Sequence, residues 1–550
     1  MPRGRRPRRP PKRPSRSQRY ARASDAYRRA AVKRAERLIE IQLPQRRTEP
    51  ESIVAHLGPT NSGKTYDALR FLAEQGKGVY AGPLRMLAQE AHRRLAAELG
   101  EERVGLVTGE ERINEHAPIV CSTAEMAPLS GDVLVLDEVQ WADDDERGAA
   151  WTRLLLAGEY RHLRVLGALD ALPLVTRAFP DVEIRIFERK LPLEFVRERT
   201  LRSLEPGTVV VAFSRKAVLA LAGEANRLHP GRVAVLYGAM PLASRREEID
   251  RFLHGHADIC VATDVLGHGV NLPCETLLFA ETTKFDGQER RDLEPWELAQ
   301  IAGRAGRFGL VERGHVGVLA GVPWARADPD LVESALVPHV PVDGHMAYRV
   351  VDEARIGPRL ADLNVDDPRD LDAALAAWHR VAVRQWAHES WLAVESLQPI
   401  RGRLAVVQRH LAQRGRRLSL ADTWTLVNAP IDEEEAELLG ILALAVAGDT
   451  AQRALLQFLL DTSRLRDASL EEAEEAGGVA SILRWFALQF PGVGGVTIER
   501  AAALEEAAAE RVVARLKAEV DAGAIGRCKS CGRTCPPWYP LCDRCAQARR

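Results

Sequence analysis

The run Gly58-Pro59-Thr60-Asn61-Ser62-Gly63-Lys64-Thr65 fits the pattern GxxxxGK[ST]. Such a run wraps phosphates with inward-pointing backbone N–H groups and closes on the positive end of a helix. Lys64 is then expected to reach the β- and γ-phosphates of a nucleotide, and Thr65 to ligate Mg²⁺. An acidic pair, Asp137-Glu138, follows 73 residues after Lys64, at the end of the apolar run Val133–Leu136. Asp137 is expected to share the Mg²⁺, and Glu138 to orient or deprotonate an attacking water. A third signal is Gln300-Ile301-Ala302-Gly303-Arg304-Ala305-Gly306-Arg307. Arginines three apart suit a helix that projects both towards a cleft, where they would stabilise transition-state charge. The chemistry predicted is hydrolysis of ATP between two halves that must close on it.

The elements that must position these residues are legible as short apolar runs. Ile53–Leu57, Gly78–Ala81, Ile119–Cys121, Val133–Leu136 and Arg164–Leu166 read as buried parallel strands. Val209–Phe213, Val233–Leu236, Ile259–Ala262, Thr276–Phe279 and Val316–Ala320 repeat the pattern. The expectation is two tandem α/β domains over 49–190 and 191–325. An Ala/Leu/Glu/Arg-rich helical region follows over 326–525, and a Cys-rich module over 526–550. Residues 1–48 form a basic arm, disordered where proline is dense, with a lead-in helix from about Ala21.

The 550 residues carry a formal charge of -1, yet the first 50 hold +13 and the rest -14. Two readings of the arm stand level: a nucleic-acid contact, or a solvated tail. At 46% hydrophobic and 28% charged the chain is globular, neither a disulfide scaffold nor a wholly disordered protein. Its longest apolar stretch, near Leu438–Gly448, is too short to span a membrane. Cysteine usage fits a reducing compartment, and a cytoplasmic location is expected.

In this order and spacing the three chemical motifs resemble the superfamily 2 helicases. Further stations bear the likeness: Gly82–Glu90, Val107–Arg112 and Cys121–Met126 in the first half, Val211–Lys216 and Val261–Leu272 in the second. Asp-Glu-Val-Gln, followed by Asp145, Arg147-Gly148 and Ala150-Trp151-Thr152, is similar to the mitochondrial degradosome RNA helicase, the suppressor-of-var family of the DExH group. Leu418–Asp422 and Asn428–Asp432 resemble that family's C-terminal helical region. The resemblance covers about residues 50–450. It implies two RecA-like domains and ATP-dependent unwinding of RNA with 3′-to-5′ movement, with DNA or RNA–DNA hybrid as other substrates and an exoribonuclease as partner. It implies nucleic-acid contacts through Arg85, Thr108, Thr123, Ser214 and Thr263, and places Gly267 and Gly269 at the nucleotide. Gly167-Ala168-Leu169-Asp170 lacks the hydroxyl-rich form common at that station, and no role is assigned to it.

Two features lie outside the motor. Asp286-Gly287 between extended flanks signals a hairpin, on which Phe285 would stack against a terminal base pair; an ordinary surface turn is the equal alternative. Cys528-x2-Cys531 and Cys542-x2-Cys545 supply the four thiolates of a Zn²⁺ site, with Cys535 spare or a replacement. Besides an RNA helicase, a DNA translocase and an ATP-switched RNA clamp that recruits a nuclease fit the same motor. No membrane partner is expected.

Overall fold

The computed structural model describes residues 45–336 and 354–522, apart from 145–146, 265–271, 273, 286–288, 307–312, 357, 387–390, 395 and 432–434, together with residue 30 and a few residues of 526–535. Two parallel sheets dominate it. In the first, β1 (Ser52–Leu57), β2 (Gly78–Gly82), β3 (Val104–Val107), β4 (Arg112–Ile113), β5 (Ile119–Thr123), β6 (Ser130–Leu136), β7 (Glu159–Gly167) and β8 (Glu183–Ile186) lie in the order 4-3-5-2-6-7-1-8. Every pairing is parallel except β3 with β4. Helices α1 (Lys64–Gln75), α2 (Arg85–Leu99), α3 (Gly148–Ala157) and α4 (Leu172–Ala178) make the crossovers.

The second sheet holds β9 (Leu193–Thr200), β10 (Thr208–Val211), β11 (Val233–Leu236), β12 (Ile259–Ala262), β13 (Thr276–Phe279) and, after a small ribbon of β14 (Thr283–Phe285) and β15 (Arg290–Asp292), β16 (Gly314–Ala320). Its order is 11-12-10-13-16-9, parallel throughout. Helices α5 (Arg215–Leu228), α6 (Leu242–Leu253), α7 (Pro295–Ala302) and α8 (Pro329–Ala335) accompany it. Strands β10 to β12 are buried along their whole length, as parallel strands covered on both faces must be.

The rest is helical: α9 (Leu371–Trp386), α10 (Gln398–Gln413), α11 (Leu420–Val427), α12 (Ala436–Val446), α13 (Thr450–Leu459), α14 (Leu470–Gln489) and α15 (Ile498–Ala522). A two-stranded parallel pairing of Ala354–Ile356 with Leu392–Val394 interrupts it, which the composition does not signal. This region clasps both motor domains. Its apolar side chains, from Leu363 to Ala508, join one continuous core with those of the first sheet. Leu470, Ala473, Val512, Leu516 and Val520 join the core of the second. Trp378 and Trp386 are core residues meeting edge to face, as their helical spacing suggests. No helix among the described residues is long and apolar enough to cross a membrane. Cys121, Cys260 and Cys274 are buried free thiols, and burial pushes each thiol pKa up, away from the reactive thiolate.

Candidate nucleotide and nucleic-acid sites

Strand order explains the first site. β6, β7 and β1 are consecutive neighbours, so their C-terminal ends deliver Asp137-Glu138, Gly167–Asp170 and the phosphate loop to one edge, where open α/β sheets bind ligands. The loop leaves β1 with Gly58 N–H donating to the Gly167 carbonyl at 3.1 Å. It turns through positive φ at Asn61 (61°) and Gly63 (92°), a conformation that suits glycine at the second position. Helix α1 starts at once with Lys64, whose Nζ donates back to the Gly58 carbonyl at 2.9 Å. The ammonium therefore spans the loop from Gly58 to Lys64, buried to 7% exposure, with Ser62 buried beside it. Pro59 and Thr60 form the outer turn, and Thr65 is half-buried in the first turn of the helix.

Asp137 is buried, and its carboxylate accepts hydrogen bonds from Tyr80 Oη at 2.8 Å and Glu138 N at 2.9 Å. Burial, then the Glu138 charge, pushes the Asp137 pKa up to about 6, opposed by Lys64 and the Tyr80 hydroxyl. A buried carboxylate beside a second one is poorly stabilised without a cation. The oxygen donors here, the Asp137 carboxylate and the Thr65 hydroxyl, suit a hard divalent ion such as Mg²⁺. Glu138 sits in the left-handed region with φ 50° and accepts a hydrogen bond from Gln140. The sequence alone assigns Asp170 no role. Its carboxyl is mostly buried and titrates upward through that burial, within electrostatic reach of both Lys64 and Glu138. Only the strand order shows that this loop lies between the phosphate loop and the acidic pair.

The second domain closes the site. Helix α7, which carries Gln300, ends at Ala302. Arg304 is not on that helix, contrary to the helical reading of the two arginines. Gly303 caps the helix, Ala305 bridges to Cys274, and Gly306 takes φ 74°, so the chain turns out. The turn carries Arg304 to the acidic pair. Burial lowers its pKa, and Glu138 is the foremost charge opposing that shift. The two domains touch directly here. Asn61 Nδ2 donates to the Gly303 carbonyl at 2.8 Å, and a Cβ on Gly303 would lie 3.0 Å from Thr60 Cβ. Arg189, which no sequence signal marks, donates to Thr60 O at 3.1 Å, Gly303 O at 2.8 Å and Leu191 O at 2.8 Å. Arg307, Gly267 and Gly269 lie outside the described residues.

The expected nucleic-acid residues divide into two groups. Ser214 and Thr263 line one cleft of about 310 Å³ with Phe213, Arg215, Tyr237 and Asp264. Ser214 also caps α5, accepting from Ala217 N at 3.1 Å. Of the first-domain residues, Thr108 and Thr123 are buried, while the Arg85 side chain is part-exposed. Thr108 is fully buried, and its hydroxyl accepts from Glu110 N at 3.3 Å and Glu111 N at 3.0 Å. It shapes a turn and presents no exposed face to a strand. Thr123 is also buried. Arg85 pairs with Glu110 and donates to Ser481 of α14 at 3.3 Å. Nearby, Arg484 of α14 bonds Glu505 at 2.7 Å and approaches Glu111 at 3.6 Å. The spacing of the motifs gave no sign that α14 covers this face.

Phe285 is 65% exposed on the β14–β15 ribbon. The pairing is antiparallel, Lys284 opposite Arg291 and Phe285 opposite Arg290; Asp286-Gly287 lie outside the described residues. So do Cys528, Cys531, Cys542 and Cys545. Among the described residues no group of three or more His, Cys, Asp or Glu is placed to hold a metal ion.

Residues 41–187 match the family described as the DEXQ-box helicase domain of Suv3, and residues 193–309 match the helicase conserved C-terminal domain. Over 281 residues the chain is 38% identical to "ATP-dependent RNA helicase SUV3, mitochondrial" of Saccharomyces cerevisiae, covering 48% of this chain and 38% of that protein. It is 37% identical over 276 residues to "DExH-box ATP-dependent RNA helicase DExH16, mitochondrial" of Arabidopsis thaliana, covering 48% of each. It is 35% identical over 289 residues to "ATP-dependent RNA helicase SUPV3L1, mitochondrial" of Gallus gallus, covering 48% of this chain and 36% of that protein. The chain thus spans between about a third and a half of the length of these relatives. Residues 41–309 carry two tandem RecA-like helicase domains, the first of the Suv3 type.

Proposed function

We propose that the protein is an ATP-dependent RNA helicase that moves 3′-to-5′ on a single strand and hydrolyses ATP between its two motor domains. One observation carries the reading: Gly303 and Arg304 of the second domain stand against the phosphate loop and the acidic pair of the first. Lys64 would neutralise the β- and γ-phosphates. Thr65 and Asp137 would hold Mg²⁺, which screens phosphate charge when bound. Glu138, oriented by Gln140, would accept the proton of the attacking water. Gln300, Arg304 and Arg307 would stabilise the charge that develops on the transferred phosphoryl group.

RNA as substrate is supported by the names of the relatives. The strand would cross the cleft at Ser214 and Thr263, with Phe285 stacking at the duplex end. Such contacts are chiefly to backbone, so affinity would be salt-dependent and weakly sequence-specific. ATPase stimulation by matched RNA and DNA oligonucleotides tests the choice. Preference for RNA supports it; preference for DNA favours the translocase reading. An exoribonuclease remains the proposed partner.

Zn²⁺ is proposed to be held by Cys528, Cys531, Cys542 and Cys545, whose two Cys-x2-Cys knuckles supply a tetrahedral thiolate set. Elemental analysis of the reduced protein should find stoichiometric zinc, and its absence refutes the site. Buried free thiols suit a reducing compartment; the cytoplasm is one, and the relatives' names say mitochondrial.

A further inference from the structure

Isolated two-stranded ribbons are marginal in water, and the β14–β15 ribbon has strands of only three residues. Two carboxylates hold it. Glu297, 5% exposed, accepts from Arg291 Nη1 at 2.8 Å and Nη2 at 3.0 Å, and from Lys284 Nζ. Lys284 and Arg291 are partners across the ribbon, so one side chain grips both strands. The same carboxylate accepts from Glu294 N at 2.8 Å, completing the capping box of α7. Glu281 holds the ribbon from its other side, accepting from Arg290 at 3.0 Å and from Phe213 N at 3.1 Å. Phe213 lines the cleft of Ser214 and Thr263.

Glu297 lies in the first turn of α7, and the far end of that helix is the Gly303 bonded to Asn61. The helix has 8 residues, so it is a strut of about 12 Å. We infer that Glu297 is a positioning residue that ties the exposed ribbon to the nucleotide site through α7, so that displacement of Gly303 at the phosphate loop reorients Lys284, Arg291 and Phe285. Glu281 ties the same ribbon to the strand cleft. The ribbon is thereby placed between the ATP end and the nucleic-acid end of the second domain. This inference rests on the helicase reading above.

A carboxylate gripping two cations is replaced by Glu297→Gln, which keeps an acceptor for the helix cap and removes the charge. The full chain is assayed on an RNA duplex with a single-stranded RNA tail, reading base pairs displaced per ATP hydrolysed. The ratio should fall by about tenfold, with RNA-stimulated kcat and KM for ATP held within about twofold. Arg291→Met, at a part-exposed position, should lower the ratio in the same sense and decides the matter if Glu297→Gln does not fold. An unchanged ratio, or ATPase and displacement falling in parallel, overturns the inference alone. Wild-type protein that hydrolyses ATP with RNA yet displaces no strand overturns the helicase reading, and the inference with it.

Discussion

Asn61 of the phosphate loop donates a 2.8 Å hydrogen bond to the Gly303 carbonyl of the second motor domain, 242 residues away in sequence. The bond makes the nucleotide site a property of two domains. Movement of the phosphate loop is felt at the end of α7, one residue before Arg304. Arg189 reinforces the contact by donating to Thr60 and Gly303 at once. An ATP-dependent closing of the cleft, as proposed above, would thus have a defined point of purchase on both sides.

Catalysis should depend on residues from both domains. Lys64→Ala and Glu138→Gln should each abolish steady-state turnover, and Arg304→Ala should lower kcat by about a thousandfold. Glu138→Gln should still bind ATP, since it loses only the group that receives the water's proton. Equilibrium binding of a fluorescent ATP analogue beside single-turnover hydrolysis separates the two effects. An active Glu138→Gln enzyme contradicts the assignment.

His56 predicts a pH dependence of stability. It is buried in β1, and that burial holds its pKa down to about 4 from the ordinary 6.5, with Asp67 opposing. Below pH 6.5 the unfolded chain takes up a proton that the folded chain refuses until about pH 4. Stability should therefore fall as pH drops through that window, by about 2 kcal/mol between pH 7 and 5. Urea midpoints at the two pH values measure it, and His56→Gln should remove most of the difference. Equal losses in both proteins would show that His56 is not the group responsible.

Thr108 is assigned to structure. Thr108→Val leaves the Glu110 and Glu111 N–H groups without their acceptor and should cost about 1–2 kcal/mol of stability. RNA affinity should stay within about twofold at low and high salt. A large drop in affinity with unchanged stability would restore Thr108 as a strand contact.

The basic arm predicts an effect confined to low salt. Residues 1–50 carry +13 against -14 for the remainder, so any attraction of phosphates by the arm would be long-range and screened. Removing residues 1–48 should weaken RNA binding at low ionic strength and leave maximal ATPase intact. Unchanged affinity at low salt supports the solvated-tail reading.

Most strands of both sheets were legible because parallel strands buried on two faces must be apolar runs, and β11, at one sheet edge, is as buried as the interior strands beside it. β3, β4, β8 and β9 were not. β8 is exposed throughout, and β9 has apolar residues only in its first half before the charged run Arg197-Glu198-Arg199, along a mostly exposed course, so neither leaves the signal of a covered strand. The phosphate loop and acidic pair were readable because their spacing is set by local backbone geometry. Asp170, Tyr80 and Arg189 were not, because strand order and domain contact place them, and neither is local. Thr108 shows the converse. Its motif resemblance pointed to a surface role, while its hydroxyl is committed to a buried turn.

Strand displacement on a 3′-tailed RNA duplex, with ATP hydrolysis followed in the same reaction, tests the composite motor most directly. Wild-type protein should displace the strand only with ATP and Mg²⁺, and Glu138→Gln and Arg304→Ala should both fail although they come from different domains. RNA-stimulated hydrolysis with no displacement on any tailed duplex, or full displacement by Arg304→Ala, would contradict it.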